Sequence, residues 1–227
     1  MERSIAKRDI LDAAQVSDAV RSNPKLKGVF QSAPNTPEGL RDLTLGTVPD
    51  PRNPGKVLNK GEAMVKQYLD QQESVITQLL KQKEQQMGQP TLFPDPLTPG
   101  KFLPYDEARH QLTRLGEMTK LKSVVIGDET LYRGDLKQLY AQTLRVWQER
   151  LSRVDPQALS AFNDSRGVWE ASGATLKLLT QMFKKKTAGR VAMNTERLHD
   201  LLGDHPKDLT NKLGVEGFES LARAARL

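Results

Sequence analysis

Four chemistries have candidate residues in this chain: metal ligation, acid–base catalysis, phosphate binding and polyanion contact. The histidines are His110, His199 and His205, and no two of them lie four residues apart. No carboxylate spacing completes a ligand set around any of them. They therefore read as surface or helix-end histidines. The carboxylate pairs Asp106-Glu107 and Asp128-Glu129 fall at expected helix starts, where acids favour the helix dipole. Glu107 is followed by Ala108-Arg109-His110, but no partner nearby completes a hydrolase site. Gly55-Lys56 and Gly100-Lys101 lack the further glycine and the Ser/Thr of a phosphate loop. The chain has no cysteine, which removes thiol nucleophiles, disulfides and cysteine-held metals. No catalytic residue, no cofactor site and no metal site is expected, and the chain does not read as an enzyme.

Polyanion contact has the best residues. Lys184, Lys185, Lys186 and Arg190 are the candidate nucleic-acid contacts. The competing role is structural. Three adjacent lysines on a helix end point in different directions, and cations there complement the macrodipole. The formal net charge is +6 with a pI near 9.5, which permits nucleic-acid contact and equally suits a charged, solvated surface.

The elements that must position these residues are helical. Tyr132, Leu136, Tyr140, Leu144, Trp147, Leu151 and Val154 recur in steps of three or four, too long a run for a strand. This helix is expected to start after Gly127-Asp128 and stop at Asp155-Pro156, where Asp155 caps the next one. On that next helix Leu159, Phe162, Trp169, Gly173, Leu176, Leu179 and Phe183 form a second stripe. Both tryptophans are expected in the core, Gly173 is expected to admit a close neighbour, and the short junction favours antiparallel packing.

Earlier in the chain, residues 4 to 22 read as a modest helix. A short one follows Thr36 as cap, with Pro37 first and Leu40 and Leu43 inward. Gly46 to Gly55 reads as an extended connector. Asn59 to Gly88 reads as a long polar helix, with Asn59 and Glu62 as a capping box and its glutamines on the solvated face. Gln89 to Pro104 is a second proline-held connector, anchored by Leu92, Phe93, Phe102 and Leu103. Tyr105 to Lys122 is helical. Val124 to Ile126 is extended, with too little β signal around it for a sheet. A helix is expected from Thr187 to Leu202, ended by Gly203. Two short ones follow, Pro206 to Leu213 and Val215 to Leu227, separated by Gly214.

The fold class is thus all-α: an elongated bundle of long antiparallel helices with proline-rich extended connectors. Its divisions are 1–57 (short helices and connector), 58–88 (long polar helix), 89–103 (proline-rich connector) and 104–227 (C-terminal helical bundle). Only 37% of the residues are hydrophobic and 5% aromatic, so an extended helical assembly is expected, or a protomer that finishes its core against neighbours. No stretch approaches the roughly 18 apolar residues of a membrane span, and the charged N-terminus does not read as a signal peptide.

Pro104-Tyr105-Asp106-Glu107-Ala108-Arg109, with Leu112-Thr113-Arg114-Leu115-Gly116, resembles helical stretches of large internal virion proteins of tailed phages. So do Gly134-Asp135-Leu136-Lys137-Gln138-Leu139-Tyr140 and the helix opening at Asp155-Pro156-Gln157-Ala158-Leu159. The resemblance covers roughly residues 100 to 203 and carries no functional residue with it. It departs after Phe162, where the next aromatic is Trp169. It implies an ejection or inner-core protein, located in the virion and, during genome ejection, in the host envelope and periplasm. The implied partners are further copies of the chain, portal, tail or other internal proteins, and the genomic DNA. The alternative is a basic helical adaptor that binds nucleic acid through Lys184, Lys185, Lys186 and Arg190.

Overall fold

A computed structural model describes residues 2–26, 28–51, 55–183 and 193–225, and side-chain packing from residue 12 onward. In chain order the elements are α1 (Glu2–Arg21), a 3-10 turn (Pro24–Leu26), α2 (Pro37–Leu45), β1 (Thr47–Pro49), β2 (Val57–Asn59), α3 (Lys60–Met87), β3 (Leu92–Pro94), β4 (Phe102–Pro104), α4 (Tyr105–Met118), β5 (Ser123–Ile126), β6 (Glu129–Tyr132), α5 (Arg133–Val154), α6 (Pro156–Met182), α7 (Thr195–Asp204), α8 (Pro206–Leu213) and α9 (Val215–Ala225). With 71% helix the chain is mostly helical, but it is not purely so. It divides into two compact units, one of residues 1–71 with 164–227 and one of residues 72–163.

The helix starts follow local chemistry. The Thr36 hydroxyl accepts from Gly39 N at 3.2 Å, with Pro37 at the first helical position. Asn59 and Glu62 satisfy each other's backbone N–H at 2.7 and 3.2 Å, a complete capping box. Asp155 Oδ1 accepts from Gln157 N and Ala158 N at 2.8 and 3.0 Å, and its other oxygen lies 3.9 Å from Lys83 Nζ. Two orphan donors of α6 depend on this one buried carboxylate. Asp155→Ala is expected to cost about 1–2 kcal/mol and Asp155→Asn much less, as read by denaturant unfolding.

The proline-rich connectors are hairpins rather than plain extended chain. β1 pairs with β2 and β3 with β4, both antiparallel. The ladders hold because the prolines sit where no N–H is needed. Asp50 N bonds Lys56 O and Lys60 N bonds Gly46 O, so by the alternation of an antiparallel pair Pro49 points its nitrogen away from β2. Asp95 N bonds Lys101 O, which turns Pro94 and Pro104 outward in the same way. Of the four anchors expected in this stretch, Phe93 and Leu103 are buried, Leu92 is half-buried and Phe102 is exposed.

Val124 to Ile126 is also part of a sheet, against expectation. β5 pairs with β6 from Ser123↔Tyr132 to Ile126↔Glu129. Gly127, at φ +61, opens the two-residue turn, a conformation that few side chains tolerate and that matches hairpin twist. Asp128-Glu129 therefore belongs to a hairpin turn and not to a helix start. Asp135, in the first turn of α5, accepts from Tyr132 N at 3.0 Å.

The unit of residues 72–163 is built on an aromatic cluster. The ring centroid of Trp147 lies 4.9 Å from that of Phe93, 5.9 Å from Tyr105 and 6.2 Å from Phe162. α5 and the first turns of α6 meet at Gln148 and Asn163, with Gln148 Nε2 donating to Asn163 Oδ1 at 2.7 Å. In the other unit α1 packs on α9, and Val16, Phe30, Leu40, Leu179, Met182, Leu198, Leu213 and Leu221 lie in one core.

Three expectations for the second half fail. Trp169 is 61% exposed, and nothing lies within 4 Å of where a Cβ on Gly173 would be. Phe162, Leu176 and Leu179 of the expected stripe are buried, and the buried face of α6 takes in Val168, Ala171, Ser172, Thr175 and Met182 in place of Trp169 and Gly173. α7 is capped by Asn194, whose Oδ1 accepts from Arg197 N at 3.1 Å, and Gly203 lies inside that helix rather than ending it. Thr187, the expected start of that helix, lies outside the described residues. α8 and α9 are separated by Gly214 as predicted.

Candidate functional site

The residues with chemical potential do not converge. His110, His199 and His205 are all exposed, on α4, on α7 and at the junction of α7 with α8. Among the described residues no group of three His, Cys, Asp or Glu could hold a metal ion. Asp106 and Glu107 do sit in the first turn of α4, and Asp106 Oδ1 accepts from the Thr77 hydroxyl at 2.7 Å. Lys184, Lys185, Lys186 and Arg190 lie outside the described residues. The residues that flank them, Phe183 and Met193, face each other as an antiparallel bridge, and Asn194 N bonds Met182 O at 2.9 Å.

The most built-up polar arrangement joins α3 to α4. Arg109 Nε lies 3.6 Å from Glu73 Oε1, beside Thr77 and Asp106. Tyr105 opens α4 with its ring in the aromatic cluster and its hydroxyl buried without a hydrogen-bond partner. Burial drives the phenol well above its usual range, with Glu73 and Asp106 adding to the shift and Arg109 opposing it. A phenol so held stays neutral and cannot act as a general base near pH 7.

The arrangement has a consequence for stability. The unfolded tyrosine ionises near pH 10 and the folded one higher, so the protein loses stability as pH rises through that value. Tyr105→Phe is expected to abolish this tyrosine's share of the alkaline loss. At neutral pH it should raise stability by about 1 kcal/mol, because an unpaired buried hydroxyl disappears. Urea unfolding at pH 7 and pH 10.5 checks both.

The surface is more informative than the interior. On the unit of residues 72–163, Val125 is 67% exposed, Tyr132 65% and Leu121 53%. Val125 and Tyr132 share the outer face of the β5–β6 hairpin, since Val125↔Thr130 and Ser123↔Tyr132 are cross-strand pairs. Arg133 donates to the carbonyls of Lys120 at 2.8 Å and Leu121 at 3.3 Å, which fixes the approach to β5. On the other unit Trp169, Val57 and Val215 are each 61% exposed. Comparison with protein-family models, curated proteins and solved structures gives no match for this chain. These surfaces must therefore be interpreted from their own chemistry.

Sequence periodicity places Tyr132 and Trp169 on buried stripes, so it misses both as surface residues. The signal that finds Tyr132 is its position directly before a helix, opposite Ser123 in a hairpin that Gly127-Asp128 announces.

Proposed function

We propose that the chain is a structural subunit that works by associating with further copies and with other proteins, in the setting that the resemblance implies. That setting is the internal or ejection assembly of a tailed phage, which helps deliver the genome across the host envelope. What carries the assembly part of this reading is the exposure of Trp169, Tyr132 and Val125. Large aromatic and aliphatic side chains left in water are those that anchor protein interfaces when covered. The phage part rests on the resemblance of residues 100 to 203 alone.

No helix among the described residues is long and apolar enough to cross a membrane. Passage through an envelope would therefore be made by the assembly rather than by a helix described here. An elongated bundle of long antiparallel helices belongs to this reading, and solution scattering from the purified chain tests it. Sedimentation of the chain, alone and with a portal protein, tests association. A strict monomer under every condition overturns the assembly reading. Portal, tail and lysozyme genes beside this one support the phage setting, and metabolic genes there overturn it.

A second reading, a nucleic-acid-binding adaptor, rests on Lys184, Lys185, Lys186 and Arg190. The formal net charge of +6 is compatible with it. DNA affinity should then fall steeply with salt. Unchanged affinity after replacing the three lysines removes this reading.

A further inference from the structure

We infer that β5 is a homotypic docking strand: two copies of the chain pair their β5 edges antiparallel about a two-fold axis. The inference deepens the assembly reading and rests on it.

Among the described residues each of the three hairpins has two strands, so all six strands are edges. An open edge presents N–H and C=O groups to any passing strand. On five of the six, one of the two outward N–H groups is missing or already taken. β1, β3 and β4 carry Pro49, Pro94 and Pro104 at outward-facing positions, where no N–H can be offered. On β2 the Asn59 N–H is taken by Glu62, and on β6 the Tyr132 N–H is taken by Asp135.

β5 has neither device. Arg133 N bonds Lys122 O, so the ladder bonds to β6 fall on the even residues of β5. The N–H and C=O groups of Ser123 and Val125 consequently face away from β6. Both residues are exposed, and among the described residues no backbone group pairs with that edge.

The charges around β5 select a second copy as the occupant. Lys120 and Lys122 precede the strand, and Asp128 and Glu129 follow it. When Ser123 is matched with Val125 of the second copy, the basic end of each strand lies against the acidic end of the other, twice over by symmetry. A parallel pairing would set like against like. The matched register offers four backbone hydrogen bonds, two from each pair of outward residues. It also brings Val125 of one copy beside Ser123 of the other, in line with Tyr132 on the outer face.

Sedimentation equilibrium of the full chain over a wide concentration range tests this. Val125→Pro removes the outward N–H of Val125 from each copy, two of the four bonds. Its position on the free edge leaves the β6 ladder intact. The dimer dissociation constant should rise about tenfold or more, while far-UV circular dichroism and the melting midpoint stay those of the parent. Lys120→Glu with Lys122→Glu, on exposed side chains, should weaken self-association as much. That variant mixed with Asp128→Lys/Glu129→Lys should form the heterodimer in preference to either homodimer. If Val125→Pro does not fold, the charge variants decide alone. If the parent associates and no variant changes its affinity, the β5 assignment is overturned and the assembly reading stands. If the parent is monomeric throughout, the β5 assignment falls, and if it stays monomeric with a portal protein as well, the assembly reading falls with it.

Discussion

Trp147→Ala is expected to cost about 3–5 kcal/mol, among the largest losses for a single truncation in this protein. Trp147 is fully buried on α5, and its indole touches the clusters from three sides: Phe93 from the β3–β4 hairpin, Tyr105 from α4 and Phe162 from α6. Truncation to alanine removes the transfer energy of the indole and leaves a cavity. That cavity cannot close readily, because its walls come from three separate segments. Nε1–H also donates to Pro94 O at 3.4 Å, a long bond whose loss leaves a carbonyl beside the void. Arg150, whose guanidinium carbon lies 6.0 Å from the centre of the Phe93 ring, would lose a fixed face to rest on. Stabilities of single domains run to about 5–15 kcal/mol, so such a loss removes most of the stability of the unit of residues 72–163 if that lies at the low end of the range. Hydrogen exchange along α4 and α5 should rise toward unfolded rates. Trp169→Ala is the matched control, since an exposed indole costs within about 0.5 kcal/mol. Equal losses from the two substitutions would show that the aromatic cluster is not what holds this unit together.

The two tryptophans also show what is legible in the sequence. Helix starts were readable because capping is local: Thr36-Pro37, Asn59 with Glu62 and Asp155-Pro156 each satisfy backbone donors within three residues. Burial along α6 was not readable in the same way. The rows through Trp169 and Gly173, and through Val168, Ser172 and Thr175, are both spaced by three and four. Apolar size favours the first, and Phe162, Leu176 and Leu179 are indeed buried, but in the middle of α6 the core takes Val168, Ser172 and Thr175 and leaves Trp169 outside. The hairpins were missed for a different reason. Counting prolines predicts extended chain correctly, but the count does not say which nitrogens face a partner. Pro49, Pro94 and Pro104 all point outward, so each ladder survives. The β5 edge becomes visible only once those registers are known. Its flanking lysines and acids are ordinary surface charge until the strand places them at opposite ends.

A close approach of backbone that sequence cannot show gives the second large effect, at Gly61. This glycine is the second residue of α3, and it is buried against α2 and α6. A Cβ there would overlap Leu176 Cδ2 and stand 3.1 Å from the Leu43 carbonyl oxygen. The Leu176 methyl is buried with its side chain in the core of this unit, so it has little room to rotate away. The carbonyl belongs to backbone in the last turns of α2 and cannot retreat without moving that helix. Helix propensity pulls the other way, since alanine gains about 1 kcal/mol over glycine inside a helix. Gly61→Ala should therefore come out modestly destabilising, with the gain offsetting part of the overlap. Gly61→Val adds two methyl groups to the same crowded point and is expected to lose about 3 kcal/mol, the upper part of the range for overpacked cores. Combining it with Leu176→Ala separates the causes. If the overlap with Leu176 dominates, the double variant recovers part of the stability lost by Gly61→Val alone, as a double-mutant cycle of thermal or urea unfolding reads directly. Strict additivity would place the strain at the Leu43 carbonyl, and α2 would then be the element that moves.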